Sequence, residues 1–142
     1  VSDITHLGFL GLGNMGAAIA LRLIHPGSTL HVFDPNPEAV TPLVEAGAIA
    51  HASPRAVADA ATVVMACLPS SAVCESVLFG EDGVAAGRTV RTYIEMSTLG
   101  PTAVSSNTKA TRCLEYRHHR CARQRRPCCG AGRHLVHHAV RQ

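Results

Sequence analysis

The feature that most constrains this chain is Gly11-Leu12-Gly13-Asn14-Met15-Gly16, a G-x-G-x-x-G loop between an apolar run and an amphipathic one. Residues 4–10 are short, apolar and stopped by glycine, which predicts a buried parallel strand. Residues 14–24 put Met15, Ala18, Ile19 and Leu23 on one helical face, and Pro26-Gly27 ends the helix. Residues 30–33 read as a second strand, closed by Asp34. Few folds accept strand, glycine turn, helix, strand and acid in that order; a parallel βαβ unit that holds a dinucleotide does. Gly11 allows the tight turn, Gly13 leaves the backbone bare for a pyrophosphate, and Gly16 lets helix and strand pack closely. The start of the helix offers free N–H groups and roughly +0.5 of a charge to the phosphates. Asp34 follows Gly16 at about the offset where a carboxylate meets the adenosine ribose hydroxyls. A carboxylate there repels a 2′-phosphate, which predicts NAD over NADP. The plain alternative is that Asp34-Pro35 only starts a turn.

The alternation continues. Pro37 opens a helix to residues 45–46, with Gly47 as its C-terminal stop. Residues 48–50 make a short third strand. Ser53 caps, and Pro54 begins, a short helix to Asp59. Residues 61–68 form a fourth strand, 70–78 a helix and 89–96 a fifth strand, and Pro101 opens another helix. The expected class is α/β, a Rossmann-type doubly wound parallel sheet with right-handed crossovers. Ligands of such sheets bind beyond the C-terminal ends of the strands.

Residues 8–16, Gly-Phe-Leu-Gly-Leu-Gly-Asn-Met-Gly, resemble the opening signature of the 3-hydroxyisobutyrate dehydrogenase family, relatives of 6-phosphogluconate dehydrogenase. The likeness continues in order through Val32-Phe33-Asp34-Pro35-Asn36-Pro37, Ala46-Gly47-Ala48, Ser53-Pro54, Met65-Ala66-Cys67-Leu68-Pro69 and Glu95-Met96-Ser97-Thr98, covering roughly residues 7–101. The resemblance implies that Leu68 and Pro69 line the cofactor beyond the fourth strand, and that Thr98 lies near the nicotinamide end. The plainer readings are a strand terminator for Pro69 and a helix N-cap for Thr98. Two positions depart from the family pattern: Glu95 replaces its usual Asp, and Val73 stands where an Asn often contacts the cofactor. The candidate cofactor residues are thus Gly11, Leu12, Gly13, Asn14, Met15, Gly16, Asp34, Leu68, Pro69 and Thr98.

By the same resemblance the reaction is NAD(P)-linked oxidation of a β-hydroxyacid to its semialdehyde, with a small hydroxyacid as substrate. It needs a lysine on a later helix and a Ser-Gly-Gly loop after the sixth strand. The only lysine here is Lys109, too early for that role, and no Ser-Gly-Gly occurs. The expectation is therefore a truncated sheet with no C-terminal helical domain, NAD binding at best and no catalytic residue to name. Two alternatives stand beside it. One is a non-catalytic dinucleotide-binding module with a basic interaction tail. The other is an imine or ketoacid reductase of the same superfamily; glyoxylate and imine reductases there often favour NADP, against which Asp34 argues.

Composition changes sharply near residue 113. Residues 1–112 carry six basic and nine acidic side chains, whereas residues 113–142 carry seven arginines and one acid, with four of six cysteines and five of nine histidines. Such a break marks segments of different origin, so residues 1–112 are read as the Rossmann domain and 113–142 as a separate tail. Cys121, Cys128, Cys129, His134, His137 and His138 lack the C-x₂₋₄-C pair that structural zinc favours. An arginine-rich arm for nucleic acid lacks stacking aromatics apart from Tyr116. A shift of reading frame accounts for more. Read one base later, the codons of residues 120–127 permit Asp-Ala-Pro-Val-Ser-Gly-Gly, the missing family loop, and those of residues 133–138 permit Gly-Thr-Leu-Ser-Ile-Met. The shift would fall between Lys109 and Arg120. This predicts a tail without ordered structure, no metal and no nucleic-acid partner.

No apolar run is long enough to span a bilayer, and residues 1–6 show no signal pattern, so a cytoplasmic protein is the expectation. Oligomeric state is open. A sheet lacking its sixth strand is expected to expose an unpaired edge.

Overall fold

The computed structural model describes residues 5–97 and the two-residue strand His137–His138. Five strands alternate with four helices: β1 His6–Leu10, α1 Asn14–Leu23, β2 Thr29–Phe33, α2 Pro37–Glu45, β3 Ile49–Ala50, α3 Pro54–Ala60, β4 Val63–Ala66, α4 Ser71–Phe79 and β5 Thr92–Glu95. A 3-10 turn at Val84–Ala86, which hydrophobic periodicity did not mark, bridges α4 and β5. His137–His138 forms β6.

All strand pairs are parallel, in the order β3-β2-β1-β4-β5-β6. The chain runs outward from β1 to β3 and then returns to lay β4 on the other side of β1. The strand order reverses there, which is where sheets of this kind place a ligand crevice.

Burial follows from the two-residue period of the strands. In β1, Phe9 joins Leu12, Ala20, Leu30, Val32, Leu43 and Ala48 on one face, whereas Leu10 joins Val57, Ala58, Ala61, Val64 and Tyr93 on the other. Both faces are covered, which is why the strands read as continuous apolar runs.

The helices begin where the sequence predicts. Asn36 accepts the Glu38 N–H through Oδ1 at 3.1 Å, Ser53 the Ala56 N–H at 3.2 Å and Ser70 the Val73 N–H at 3.4 Å, so α2, α3 and α4 each carry a side-chain cap. Gly47, at φ +106°, terminates α2 as expected. The predicted face of α1 needs correction. Met15 and Ala18 are exposed, and the inward stripe is Gly16, Ile19, Ala20 and Leu23. Period and helix were right but the phase was one residue off, because Gly16 must face the turn that precedes the helix.

β6 pairs His137 with Ile94 and His138 with Glu95, so the outer edge of β5 is not open at these two positions, contrary to the expectation of an unpaired edge. The remainder of 113–142, the helix expected at Pro101 and the site candidate Thr98 lie outside the described residues. No helix among the described residues is long and apolar enough to cross a membrane.

Candidate functional site

The crevice over β1 and β4 is built from the glycine loop. Gly11 takes φ +84°, and its N–H reaches the Phe33 carbonyl at 3.2 Å, tying the loop to the end of β2. A Cβ on Gly11 would lie 2.3 Å from the Cys67 carbonyl oxygen and 2.9 Å from Leu68 Cδ2, so the turn after β4 presses directly on it. Gly16 is excluded from change by the same kind of contact: its Cβ would fall 1.9 Å from the Gly11 carbonyl oxygen. Gly13 differs. Nothing lies within 4 Å of where its Cβ would be. That space borders the first turn of α1, whose N-cap is Gly13 itself and which no side chain caps.

Asp34 closes the loop from the other side. Its Oδ2 accepts the Leu12 N–H at 2.6 Å, and its Oδ1 accepts the Asn36 N–H at 2.8 Å. Each carboxylate oxygen keeps a lone pair for another donor. Asp34 also borders a shallow groove of about 400 Å³ that runs along α2 past Val40, Thr41 and Val44 to His51.

The structure separates the sequence-predicted residues by what they present. Gly11, Gly13, Asn14, Met15, Gly16 and Asp34 gather around one opening, where Met15 is 70% exposed. Leu12 belongs to the loop, yet its side chain is 2% exposed and packs in the core, so only its backbone faces the turn. Leu68 is half-buried against the core beneath the turn, and Pro69 is exposed beyond it.

Two arrangements escaped the sequence. The first is a hydrogen-bonded run at the end of β5. Tyr93 donates its hydroxyl to Glu95 Oε2 at 2.8 Å, the Ser97 N–H and hydroxyl both donate to Glu95 Oε1, and Ser97 Oγ accepts the Leu68 N–H at 2.6 Å. A charged residue ending an otherwise apolar strand was the available signal. The second is a row of three imidazoles across the strands. His6 Nδ1 lies 3.1 Å from His31 Nε2, and His31 Nδ1 lies 2.9 Å from His51 Nε2. Burial, then the neighbouring His51 and His6, hold the His31 pKa below its usual value; burial does the same to His51.

The site offers little for covalent chemistry. Burial and then nearby Glu95 raise the Cys67 thiol pKa, and burial is the main reason Cys74 is pushed up to about 11, so neither is a ready thiolate at neutral pH. Among the described residues, no group of three or more His, Cys, Asp or Glu is arranged to hold a metal ion. What the crevice can do is hold an anion at uncapped amides beside a carboxylate that accepts hydroxyl hydrogens.

Comparison with known proteins identifies the family. Residues 6–117 match the family described as the NAD binding domain of 6-phosphogluconate dehydrogenase. The chain is 43% identical over 96 residues to the 3-sulfolactaldehyde reductase of Escherichia coli (strain K12), covering 67% of this chain and 32% of that protein. It is 40% identical over 101 residues to the 3-hydroxyisobutyrate dehydrogenase of Pseudomonas aeruginosa, covering 69% and 33%. The solved structure of Mycobacterium tuberculosis 3-hydroxyisobutyrate dehydrogenase with L-serine superimposes with a TM-score of 0.71 at 30% identity, covering 78% of this chain and 38% of that one. The chain thus spans about a third of the length of the curated relatives it matches.

Proposed function

The chain belongs to the family of the NAD-binding domain of 6-phosphogluconate dehydrogenase, and from that premise we propose that its crevice binds NAD through Gly11–Gly16 and Asp34. The observation that carries the reading is the open space at Gly13 beside an uncapped helix start, bounded by a carboxylate. The residues present fit the cofactor. The Gly13 position leaves room for a pyrophosphate, the amides of Asn14, Met15 and Gly16 would hold it, and Asp34 would accept the ribose hydroxyls. Leu68, Pro69 and Thr98 are proposed as further cofactor contacts beyond the fourth and fifth strands. Among the described residues that line the groove with Asp34 none is Lys or Arg, which favours NAD over NADP.

Bound NAD supplies a hydride acceptor. The substrate class we propose for the whole protein is a small β-hydroxyacid, in keeping with the relatives named 3-hydroxyisobutyrate dehydrogenase and 3-sulfolactaldehyde reductase. Within these 142 residues we propose cofactor binding without turnover, because the lysine and Ser-Gly-Gly loop that the family resemblance calls for do not occur. Residues 1–112 are the proposed NAD-binding unit, and 113–142 a segment translated out of frame.

Titration of NAD into the isotopically labelled 142-residue chain tests the site. The amide signals of Leu12 to Gly16 should move on saturation. Shifts confined to other surfaces, with the glycine loop unmoved, would refute it.

A further inference from the structure

Glu95 ends β5 at 6% exposure, beneath the same strand ends that carry the proposed cofactor residues. A carboxylate so withdrawn from water must be hydrogen-bonded. It is: Oε2 accepts the Tyr93 hydroxyl at 2.8 Å, and Oε1 accepts the Ser97 N–H at 3.0 Å together with the Ser97 hydroxyl. The arrangement has a direction. Because the Ser97 hydroxyl hydrogen is committed to Glu95, the lone pairs of Ser97 Oγ are left for the Leu68 N–H, which donates to it at 2.6 Å, and for the Cys74 thiol at 3.7 Å. Leu68 belongs to the turn that presses on Gly11, where a Cβ would meet Leu68 Cδ2 and the Cys67 carbonyl. A chain of contacts therefore runs from a buried charge on β5, through Ser97 and Leu68, to the glycine loop.

We propose that Glu95, acting through Ser97, is a positioning residue that holds the Leu68 turn, and with it the glycine loop, in the geometry that receives NAD; this rests on the NAD reading above. Charge-assisted hydrogen bonds are shorter and stronger than neutral ones, which suits a carboxylate to fixing a serine hydroxyl. The length of Glu matters as well. Its two oxygens span Tyr93 on one side and Ser97 on the other.

The test is NAD titration of the full chain and of Ser97→Ala, Ser97→Thr and Glu95→Gln, with thermal unfolding of each followed in parallel. Ser97→Ala leaves the Leu68 N–H without its acceptor and should weaken NAD binding about tenfold. Ser97→Thr keeps the hydroxyl and should restore binding to within about threefold. In Glu95→Gln one acceptor oxygen becomes an NH₂ facing a hydrogen-bond donor, so NAD binding should weaken about threefold or more and the unfolding midpoint should fall as well. Should Ser97→Ala fail to fold, Glu95→Gln decides alone. NAD binding as tight as the parent's in folded Ser97→Ala or Glu95→Gln overturns the proposal. So does a loss that only follows the unfolding midpoint and is not rescued by threonine. A parent chain that binds no NAD instead overturns the function proposed above, and this role with it.

Discussion

The Asp34 carboxylate accepts the Leu12 N–H at 2.6 Å, so the acid at the end of β2 is bonded to the glycine loop it faces. It accepts the Asn36 N–H as well, at 2.8 Å. One side chain thus ties the loop to the start of α2 and borders the groove beside it. Loop order and the proposed recognition of the ribose are coupled at this residue.

Asp34→Ala should therefore weaken NAD by about 1.5–3 kcal/mol, the worth of a charged hydrogen bond, and should cost some fold stability too. Asp34→Asn keeps an acceptor for Leu12 and should lose less of both, while relaxing discrimination against NADP. Calorimetric titration together with urea unfolding separates the two effects. An alanine variant that binds NAD like its parent would leave the carboxylate without a role in recognition.

The loop glycines should fail in different ways. Gly16→Ala drives a methyl group into the Gly11 carbonyl oxygen, and such overpacking costs about 1–3 kcal/mol or more. Gly13→Ala meets nothing within 4 Å and should cost at most about 1 kcal/mol, the scale of an N-cap change. Yet its methyl occupies the space proposed for the pyrophosphate, so NAD affinity should fall about tenfold or more. Equal melting temperatures for the two variants would contradict this assignment of roles.

Much of this was readable beforehand because the relevant signals are local. The cap at Ser53, the first-turn prolines 37 and 54, and the stop at Gly47 act within a few residues of their own position; the caps at Asn36 and Ser70 emerged only in the structure. The G-x-G-x-x-G loop and Asp34 carry their spacing in the chain itself. What escaped depends on tertiary neighbours. The phase of α1 is set by Gly16 against Gly11, so the apolar Met15 turned outward although periodicity placed it inside. Leu12 looked like a loop residue, but its side chain belongs to the core. The histidine row joins residues 25 and 20 positions apart, and the Ser97–Leu68 bond spans 29, separations that no periodicity reports.

That histidine row gives the fold a pH dependence of defined sign. The folded pKa of His31 lies below its ordinary value through burial and then His51 and His6, and that of His51 through burial. Above about pH 6.5, the ordinary histidine pKa, both states are neutral and the stability is fully present. As pH falls below that value, the unfolded chain takes up protons that the folded chain resists, so stability drops until the lowered folded pKa values are passed. The slope is at most about 1.4 kcal/mol per pH unit for each histidine. Urea unfolding at pH 7.5 and pH 5.5 should show lower stability in acid, with a shallower dependence in His31→Phe. Stability that rises on acidification would contradict the reading.

The tail has its own test at the level of the gene. Sequencing from the codon of Ser97 past that of Gln142 should reveal one base gained or lost between the codons of Lys109 and Arg120. The corrected frame should then read through Asp-Ala-Pro-Val-Ser-Gly-Gly. An unchanged sequence would make 113–142 a genuine segment, with the row of arginines to be explained by a partner. In that case a salt-sensitive nucleic-acid complex is the outcome to look for.

The central claim is that the crevice over β1 and β4 binds NAD and, through Asp34, prefers it to NADP. Isothermal titration of the 142-residue chain with each dinucleotide tests this most directly. The account predicts saturable binding of NAD and at least about tenfold weaker binding of NADP, since its 2′-phosphate would meet an unneutralised carboxylate. A folded chain that releases no binding heat with NAD, or that takes NADP as tightly, would contradict it.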